Sequence, residues 1–572
     1  MALAATMALP SWAIAQPAPR VGVPGPVPQG SPIPRVLPRP APPLTPAVPS
    51  PTPVSPGQMP DVSVAVAAVR IDGATAFSPV ELAPLVAGLV GPAVPLERIE
   101  EARTALLRRY RDGGYPLTAV SAEIEPGGRL RFVVAEGRIA EVKLDGDIGP
   151  AATQVLLFLQ RLVTEGPLDQ ATLERQLLLA QEVPGVTLRA VLRPMPGAEP
   201  GTLQLIAQVS RELLSGLVAA DNRGFELVGP EQAVALMSLN SLTQFGERTD
   251  FVLFRSINGT QTFGQVGVEA FIGASGLKLR VQAGAGNSMP SGSLRAIGYE
   301  GTTTNFSIGV TYPLVRRRDQ SVTLFALAEA LQNDVSVGGP SGVSSLLSTD
   351  SLRPFRVGAD WARRDFWVGD DRPALSTANI RLTQATAALG ASSNGAALAG
   401  RVNQVVDFRK ANGEITRNQA IFSPWEGATF GVFGMVAGQY SGDILPPIEK
   451  FYLGGLRMNR GYYAGEVSGD SALSTTVELR LDDVYSIRAF GATVDLTAQY
   501  YAFWDWGQAW DNGVDAQTRR LSSVGAGVRF IGARNTEIQL EGVSRLVTRP
   551  QGELTVDPLS TNAFYWRVLQ RF

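Results

Sequence analysis

The stretch from Leu277 to Gly286, Leu-Lys-Leu-Arg-Val-Gln-Ala-Gly-Ala-Gly, decides the fold of most of this chain. Every second residue is apolar, and the residues between them are charged, amide-bearing or glycine. Successive side chains of a β-strand point to opposite faces of the sheet. The pattern therefore predicts a strand with one face in an apolar environment and the other in water.

The same alternation recurs in other segments, around Phe306–Tyr312, Val322–Ala330 and Phe430–Val436. A soluble sandwich would show shorter segments with larger apolar side chains, because its apolar faces pack against each other. These segments instead run for roughly ten residues, the length of a tilted strand that crosses a bilayer. Their polar faces are rich in Gly, Ser, Thr and Arg, with aromatic residues near the segment ends. We predict a transmembrane antiparallel β-barrel.

The predicted barrel covers residues 213–572, which hold every tryptophan after the first fifteen residues. This length accommodates about 16 strands of ~10 residues each, together with turns and loops. A segment with the strand pattern, Phe564 to Phe572, ends the sequence. A final strand with a terminal phenylalanine resembles the signal that barrel-insertion machinery recognises, so we predict Phe572 as an insertion signal and that machinery as a partner.

Two smaller units precede the barrel, at residues 62–139 and 140–212, and each repeats the order β-α-α-β-β. In the first unit, a strand over Val64–Ile71 is followed by Ser78, which is placed to cap a helix. A second helix carries apolar residues at three- and four-residue spacing from Leu96 to Tyr110, and two strands follow. The order βααββ is shared by several small folds.

The first 61 residues predict export and a spacer. Residues 1–15 resemble part of a signal peptide, because an apolar run ends in the cleavage pattern Ala13-Ile14-Ala15. A positively charged start is missing, so we expect the true start to lie upstream. Residues 16–61 form a proline-rich linker, with 17 prolines between positions 17 and 60. Proline favours extended polyproline II and prevents a packed core, so we interpret this segment as a spacer.

The composition argues against several functions. Basic and acidic residues number 50 and 52, so we expect no nucleic acid as a partner. The sequence has no cysteine and no histidine, which excludes thiol nucleophiles, zinc sites that use Cys or His, and imidazole-based triads. We therefore expect no catalytic activity, no metal and no other cofactor.

Three segments, in this order, carry a family resemblance: Asp221-Asn222-Arg223-Gly224; Phe451 to Gly455, which leads into Arg460-Gly461-Tyr462; and Phe503-Trp504-Asp505-Trp506-Gly507. With two βααββ units ahead of them, they resemble the transporter subunit of two-partner secretion (TpsB, the haemolysin/adhesin secretion-activation family). This family belongs to the superfamily of outer-membrane barrels that carry POTRA domains. The resemblance covers residue 62 to the C-terminus and implies two POTRA domains before a 16-stranded barrel.

The resemblance also implies site residues. In the family a long extracellular loop folds into the barrel lumen, and an arginine at its tip pairs with an aspartate on the inner wall. The matching positions are Arg460, Gly461 and Tyr462 at the loop tip and Phe503, Asp505 and Gly507 on the wall. Asn459 departs from the family pattern, in which valine is usual. We expect this change to weaken apolar packing of the tip and to leave the charge pairing intact.

The function implied by the resemblance is a translocation pore in the bacterial outer membrane. Its periplasmic POTRA domains would recognise a large secreted exoprotein of the adhesin or haemolysin type, and its barrel would contact outer-membrane lipid. The sequence has no apparent phosphate-binding loop, and the periplasm lacks ATP. Export would therefore not use ATP. Two alternatives stay open at this point: a barrel-assembly insertase of the same superfamily, or a porin-type channel.

Overall fold

The computed structural model describes residues 62–338, 344–489, 492–513, 516–532, 535–550 and 558–572. The predicted signal peptide and proline-rich linker lie outside these residues. Within the described ranges, we find no helix with the length and apolar character needed to cross a membrane. The predicted fold class is confirmed: two small α/β units precede a closed barrel of antiparallel strands.

The first unit contains two short helices and a longer one around two small sheets. Its elements are β1 (Ser63–Val66), β2 (Ala68–Asp72), α1 (Pro79–Leu82) with a 3-10 turn (Ala83–Val86), β3 (Gly91–Pro95), α2 (Leu96–Asp112), β4 (Ala119–Glu125) and β5 (Arg129–Ala135). Strand β5 is central, parallel to β2 and antiparallel to β4. Ser78 caps α1 with the predicted capping box, in which Glu81 accepts from the Ser78 backbone N–H at 2.9 Å.

One predicted strand of the first unit was wrong. The segment Val64–Ile71 is divided at Ala67, whose N–H donates to the Gly128 carbonyl at 2.7 Å. The part before this break, β1, leaves the main sheet and pairs with β3, a strand that the sequence did not predict. Strand β3 has proline at two of its five positions, and proline is typical of edge strands and rare inside sheets.

The second unit follows the predicted βααββ order. It comprises β6 (Arg138–Asp145), α3 (Ala151–Leu159) with a 3-10 turn (Gln160–Leu162), α4 (Gln170–Gln181), β7 (Val186–Pro194) and β8 (Thr202–Arg211). Strand β8 is central, parallel to β6 and antiparallel to β7, as in the first unit. Leu117 of the first unit packs in the core of the second, so the two units share a contact. The boundaries at 139/140 and 212/213 stay predictions.

The barrel consists of 16 antiparallel strands. Two segments, β16 (Ser344–Leu352) and β17 (Pro354–Asp365), both pair with β15 (Gln320–Gly338) and form one strand interrupted at Arg353. A four-residue helix, α5 (Ser293–Ala296), lies between β13 (Lys278–Ser288) and β14 (Glu300–Arg316). The strands are β9 (Leu214–Asp221), β10 (Gln232–Asn240), β11 (Arg248–Ser256), β12 (Gln261–Phe271), β13 (Lys278–Ser288), β14 (Glu300–Arg316), β15 (Gln320–Gly338), β16 (Ser344–Leu352), β17 (Pro354–Asp365), β18 (Ala374–Ala385), β19 (Arg409–Phe422), β20 (Thr429–Tyr440), β23 (Ser471–Ala489), β24 (Ala492–Trp510), β25 (Thr518–Ile531), β26 (Thr536–Arg545) and β27 (Asn562–Arg571); the intervening β21 (Phe451–Leu453) and β22 (Val467–Gly469) form a separate hairpin.

The alternation predicted from the sequence places apolar side chains on the outside of the barrel. Exposed large apolar residues recur at every second position on neighbouring strands, as expected of a surface that faces lipid. They include Phe251, Leu253, Phe306, Ile308, Val310, Phe355, Val357, Ile380, Leu382, Val436, Val477 and Leu479.

The barrel closes between its first and last strands through a short seam. Strands β27 and β9 have five aligned residue pairs, against eight between β9 and β10. Next to the last aligned pair, on the side of the two units, Gly216 and Phe572 exchange two backbone hydrogen bonds, of 2.9 and 3.1 Å. The Phe572 ring lies over Gly216, where a side chain would meet it. Phe572 thus closes the seam at the end nearest the two units, and its role as an insertion signal stays a prediction.

The second unit rests on the barrel turns at this same end. Arg175 of α4 donates to the carbonyls of Pro313 at 2.8 Å and Ser275 at 3.1 Å. Phe158 of α3 packs edge-on against Phe271 of β12, with ring centroids 5.2 Å apart. Strand β9 starts at this end of the barrel, and successive strands run in opposite directions. Strand β20 therefore ends at the opposite end, where the loop between β20 and β23 lies.

Candidate functional site

The loop of residues 441–470, between β20 and β23, enters the barrel lumen. Its hairpin of β21 and β22 packs against the inner wall, where Leu453, Tyr462 and Val467 share an apolar cluster with Ala509 and Leu521. Each of these loop side chains is fully buried. The lumen is therefore occupied by an ordered part of the chain, and the three predicted tip residues lie within this part.

Arg460 and Asp505, the loop-tip arginine and the wall aspartate, are in contact. The Arg460 guanidinium donates to both Asp505 carboxylate oxygens, each at 3.1 Å, and the Arg460 backbone N–H donates to Oδ2 at 2.8 Å. The guanidinium also stacks on Phe503, 3.8 Å from the ring centroid. Asp505 is fully buried and Arg460 is 4% exposed. This two-pronged geometry defines both the position and the orientation of the loop tip.

A second carboxylate, which the sequence did not indicate, joins this pair. Glu478 of β23 accepts from Arg460 and, at 2.6 and 2.8 Å, from Arg480 and Arg529. These residues together form the tip cluster: Arg460, Glu478, Arg480, Asp505 and Arg529. Register explains the proximity, because Glu478 of β23 is aligned with Phe503 of β24, two residues before Asp505. A local motif search does not detect Glu478, since its neighbours in the cluster come from three strands.

Tyr462 anchors the tip on strand β25 and on the segment that follows β26. Its hydroxyl proton is shared between the carbonyls of Ser522 at 2.7 Å and Val547 at 2.8 Å, its oxygen accepts from the Ser522 N–H at 3.2 Å, and the side chain is completely buried. An aromatic residue with a hydroxyl is therefore suited to this position, because a phenylalanine would leave these carbonyls without that donor.

Gly461 lies where no larger residue fits without a shift. A Cβ atom at this position would lie 2.5 Å from the Ser523 Cβ. The Gly461 carbonyl accepts hydrogen bonds from Arg545 at 2.6 Å and from the Tyr565 hydroxyl at 3.1 Å. The tip backbone is thus held directly by strands β26 and β27.

The departure at Asn459 has a structural explanation. Its backbone has φ 53°, a left-handed conformation that asparagine tolerates and β-branched residues rarely adopt. The side chain is fully buried, accepts from the Ser474 hydroxyl at 3.1 Å, and fills the space above Gly507. Gly507, the last wall residue of the motif, thus provides room for Asn459. A polar contact replaces the apolar packing that we expected to be weakened.

The Asp221–Gly224 segment ties the loop tip to the barrel seam. Above the aligned pairs of β9 and β27, the Asn222 amide donates to the Phe564 carbonyl at 3.1 Å and accepts from the Trp566 N–H at 2.8 Å. Its side chain thus continues the ladder like a backbone amide. Arg223 pairs with buried Glu541, and its carbonyl accepts from the Ala464 N–H of the loop at 3.1 Å. The sequence marked this segment as a motif but gave its residues no role.

Comparison with known proteins places the chain in a family. The model of the family described as haemolysin secretion/activation protein ShlB/FhaC/HecB matches residues 202–530, more than half of the chain. The chain belongs to this family. The model of the ShlB-type POTRA domain matches residues 64–137, within the first unit.

One relative and two solved structures match over most of the chain. The heme/hemopexin transporter protein HuxB of Haemophilus influenzae (strain 86-028NP) is 21% identical over 86% of this chain and 84% of its own. The structure of CdiB from Escherichia coli matches with a TM-score of 0.67 at 19% identity, covering 92% of this chain and 94% of its own. CdiB from Acinetobacter baumannii matches with a TM-score of 0.60 at 12% identity, over 90% and 91% of the two chains. The two structures share the fold.

Family membership confirms the function and location expected from the sequence. The protein is an outer-membrane translocator of two-partner secretion, and its POTRA region lies in the periplasm. Its partner is a secreted exoprotein. Loop 441–470 consequently enters the lumen from the extracellular end, and the barrel turns under the second unit face the periplasm.

Proposed function

We propose that loop 441–470 gates the export pore, and that the contact between Arg460 and Asp505 holds the gate closed. The observation that carries this proposal is the buried Arg460, which is bound by Asp505 through three hydrogen bonds. An ordered loop across a wet lumen must offset the conformational entropy of its ordered residues, about 1–2 kcal/mol each. Charge-assisted hydrogen bonds of about 1.5–3 kcal/mol each contribute to that offset.

The POTRA units act as the receptor for the exoprotein in this proposal. In the first unit β2 and β4 form the two edges of the main sheet, as β6 and β7 do in the second. A sheet edge binds an extended polypeptide through backbone hydrogen bonds, which require little sequence specificity. This mode of binding suits a client that reaches the pore unfolded.

Transport proceeds without a nucleotide in this proposal, and the chain acts as a pore and not as an enzyme. The sequence has no G-x-x-x-x-G-K-[ST] motif for ATP phosphates. Folding of the exoprotein outside the cell would prevent its return and provide the direction. The exposed apolar belt would contact outer-membrane lipid, and barrel-assembly machinery would insert the chain with Phe572 as signal. Nucleic acid has no part in this mechanism.

Two single variants, Arg460→Ala and Asp505→Ala, test the gate. We expect each to reduce exoprotein release about tenfold or more, because the tip loses its anchor on the wall and the freed loop, still attached at its base, obstructs the path of a large client. The buried charge left without its partner costs about 3–5 kcal/mol, which is enough to release the tip. Barrel assembly, measured as heat-modifiable mobility, should persist because the wall keeps its strand pairing. Exchanging the two charges restores the pair but places a carboxylate at position 460 beside Glu478, so we expect partial recovery.

Arg457→Ala is the matched control, since Arg457 is a neighbouring loop arginine that is 42% exposed and pairs with Glu414. Exposed pairs contribute about 0–1 kcal/mol, so this variant should secrete normally. Full secretion by both Arg460→Ala and Asp505→Ala would contradict the gate.

A further inference from the structure

The base of loop 441–470 carries a second ion cluster, separate from the tip cluster. Glu449 lies in a short 3-10 turn (Pro447–Glu449) soon after β20 and is 1% exposed. Its carboxylate accepts from Arg356 at 2.7 Å and from Lys410 at 2.7 Å, and Arg356 also pairs with Glu329. These four residues, Glu329, Arg356, Lys410 and Glu449, form the base cluster.

The two clusters lie on different parts of the barrel wall. Arg460 is held by β23 and β24, whereas the partners of Glu449 come from β17 and β19, on the other side of β20. The backbone at Glu449 is held as well, because its carbonyl accepts from Lys410 at 2.7 Å and from Gln439 at 3.2 Å. The same Gln439 amide donates to the Asp470 carbonyl at 3.1 Å. One side chain of β20 thus ties both ends of the loop together.

Charge balance distinguishes the clusters. The tip cluster has three cations (Arg460, Arg480 and Arg529) and two carboxylates (Glu478 and Asp505). Withdrawal of Arg460 leaves two cations and two carboxylates on the wall, so the net charge there is zero, although Asp505 loses its ion pair. The base cluster has two of each, and withdrawal of Glu449 leaves Lys410 without its ion pair and a net positive charge at a buried site. A net charge at a buried site is strongly unfavourable, so Glu449 is harder to release than Arg460.

We infer that Glu449 is a positioning residue that keeps the base of the loop on the wall after the tip has been released. The gate then pivots about its base and stays in the lumen mouth, from which it can close again. This inference rests on the proposed function in one respect, that loop 441–470 obstructs the pore.

Channel recordings of the full-length protein in planar bilayers test the inference without an exoprotein. With Arg460→Ala we expect more frequent openings of limited conductance, because the freed tip is still tethered at Glu449. With Arg460→Ala and Glu449→Gln together we expect larger openings and an about tenfold greater share of time in them. Glu449→Gln alone should remain close to wild type, because the tip cluster still holds the loop.

Glu329→Gln is the matched control, because it removes one carboxylate from the base cluster without detaching the loop. The pair Arg460→Ala with Glu329→Gln should therefore behave like Arg460→Ala. A protein with Arg460→Ala and Glu449→Gln whose openings do not exceed those of Arg460→Ala would overturn the inference. If that protein does not form a heat-modifiable barrel, adding Lys410→Met removes the buried excess charge, and the same comparison decides.

The outcome also separates the inference from the proposed gate. Wild-type conductance for Arg460→Ala would refute the gate and, with it, the tether. Increased conductance for Arg460→Ala without a further increase on loss of Glu449 would refute the tether alone.

Discussion

The two units that precede the barrel share one order of elements and differ in the contacts that hold them. The second unit is fixed to the barrel: Arg175 binds two turn carbonyls, Glu182 pairs with Arg316, and Phe158 packs on Phe271. The first unit is attached through the second, by Leu117 and by a hydrogen bond of 2.8 Å from the Gln170 N–H to the Gly114 carbonyl. Similar folds can therefore serve as a fixed platform and as a projecting arm, depending on surface contacts.

The difference in attachment suggests that the two units have different roles. A docked unit keeps the entry route aligned with the barrel, while the unit beyond it leaves the edges of β2 and β4 available for a client. The following predictions test the roles of the two units, first together and then one at a time.

Deletion of residues 62–212 should have the largest effect. We expect secretion to be lost entirely, while the barrel still assembles and conducts ions because its hydrogen bonds are internal. Release of exoprotein into the medium and heat-modifiable mobility would be measured on the same cells. Normal release from the deletion protein would show that neither unit is the receptor.

Arg175→Ala should loosen the platform without unfolding it. The variant loses charged hydrogen bonds to backbone carbonyls, each contributing about 1.5–3 kcal/mol. We expect faster hydrogen exchange in turn residues 272–277 and severalfold lower secretion, with barrel assembly unchanged. Arg189→Ala removes an exposed arginine of β7 and provides the control. Equal secretion by the two variants would indicate that docking through Arg175 is dispensable.

Acid should affect the first unit more than the second, through Glu136. Burial opposes ionisation of this carboxyl, but hydrogen bonds from the Ala76 and Thr75 N–H groups and the Tyr110 hydroxyl outweigh it and lower the pKa of Glu136. A lowered pKa stabilises the fold above the ordinary value of about 4.3. This contribution is lost as the pH falls below that value through the folded-state pKa.

The measurement is hydrogen exchange, corrected for intrinsic rates, between pH 7 and pH 3. We expect protection of the first unit to fall on acidification, and Glu136→Gln to reduce it at neutral pH by about 1–3 kcal/mol and to make the acid-dependent loss smaller. The second unit serves as the internal control. An equal acid response in the variant and the wild type would exclude Glu136 as the cause.

The sequence alone was sufficient for the architecture, because the patterns that reveal it are local. Period-two alternation around Leu277–Gly286 predicted the barrel, and the length of the remaining chain predicted 16 strands. The capping box at Ser78 and the helical spacing from Leu96 to Tyr110 predicted the helices of the first βααββ unit. The exception, β3, has two prolines in five residues, so its pairing with β1 depends on the neighbouring sheet and not on local propensity.

The contacts of loop 441–470 were decided by the tertiary structure. Family motifs indicated Arg460 and Asp505, but no pattern indicated Glu478 as a partner of Arg460 or Glu449 as an anchor of the loop base. Asn222 stood in a motif, but nothing in the sequence indicated its hydrogen bonds at the barrel seam. Glu449 lies 93 residues from Arg356, and Asn222 lies 342 residues from Phe564. Alternation determines which face of a strand a residue occupies. Which residues then meet depends on strand register, barrel closure and the entry of the loop, and these exist only once the whole barrel has formed.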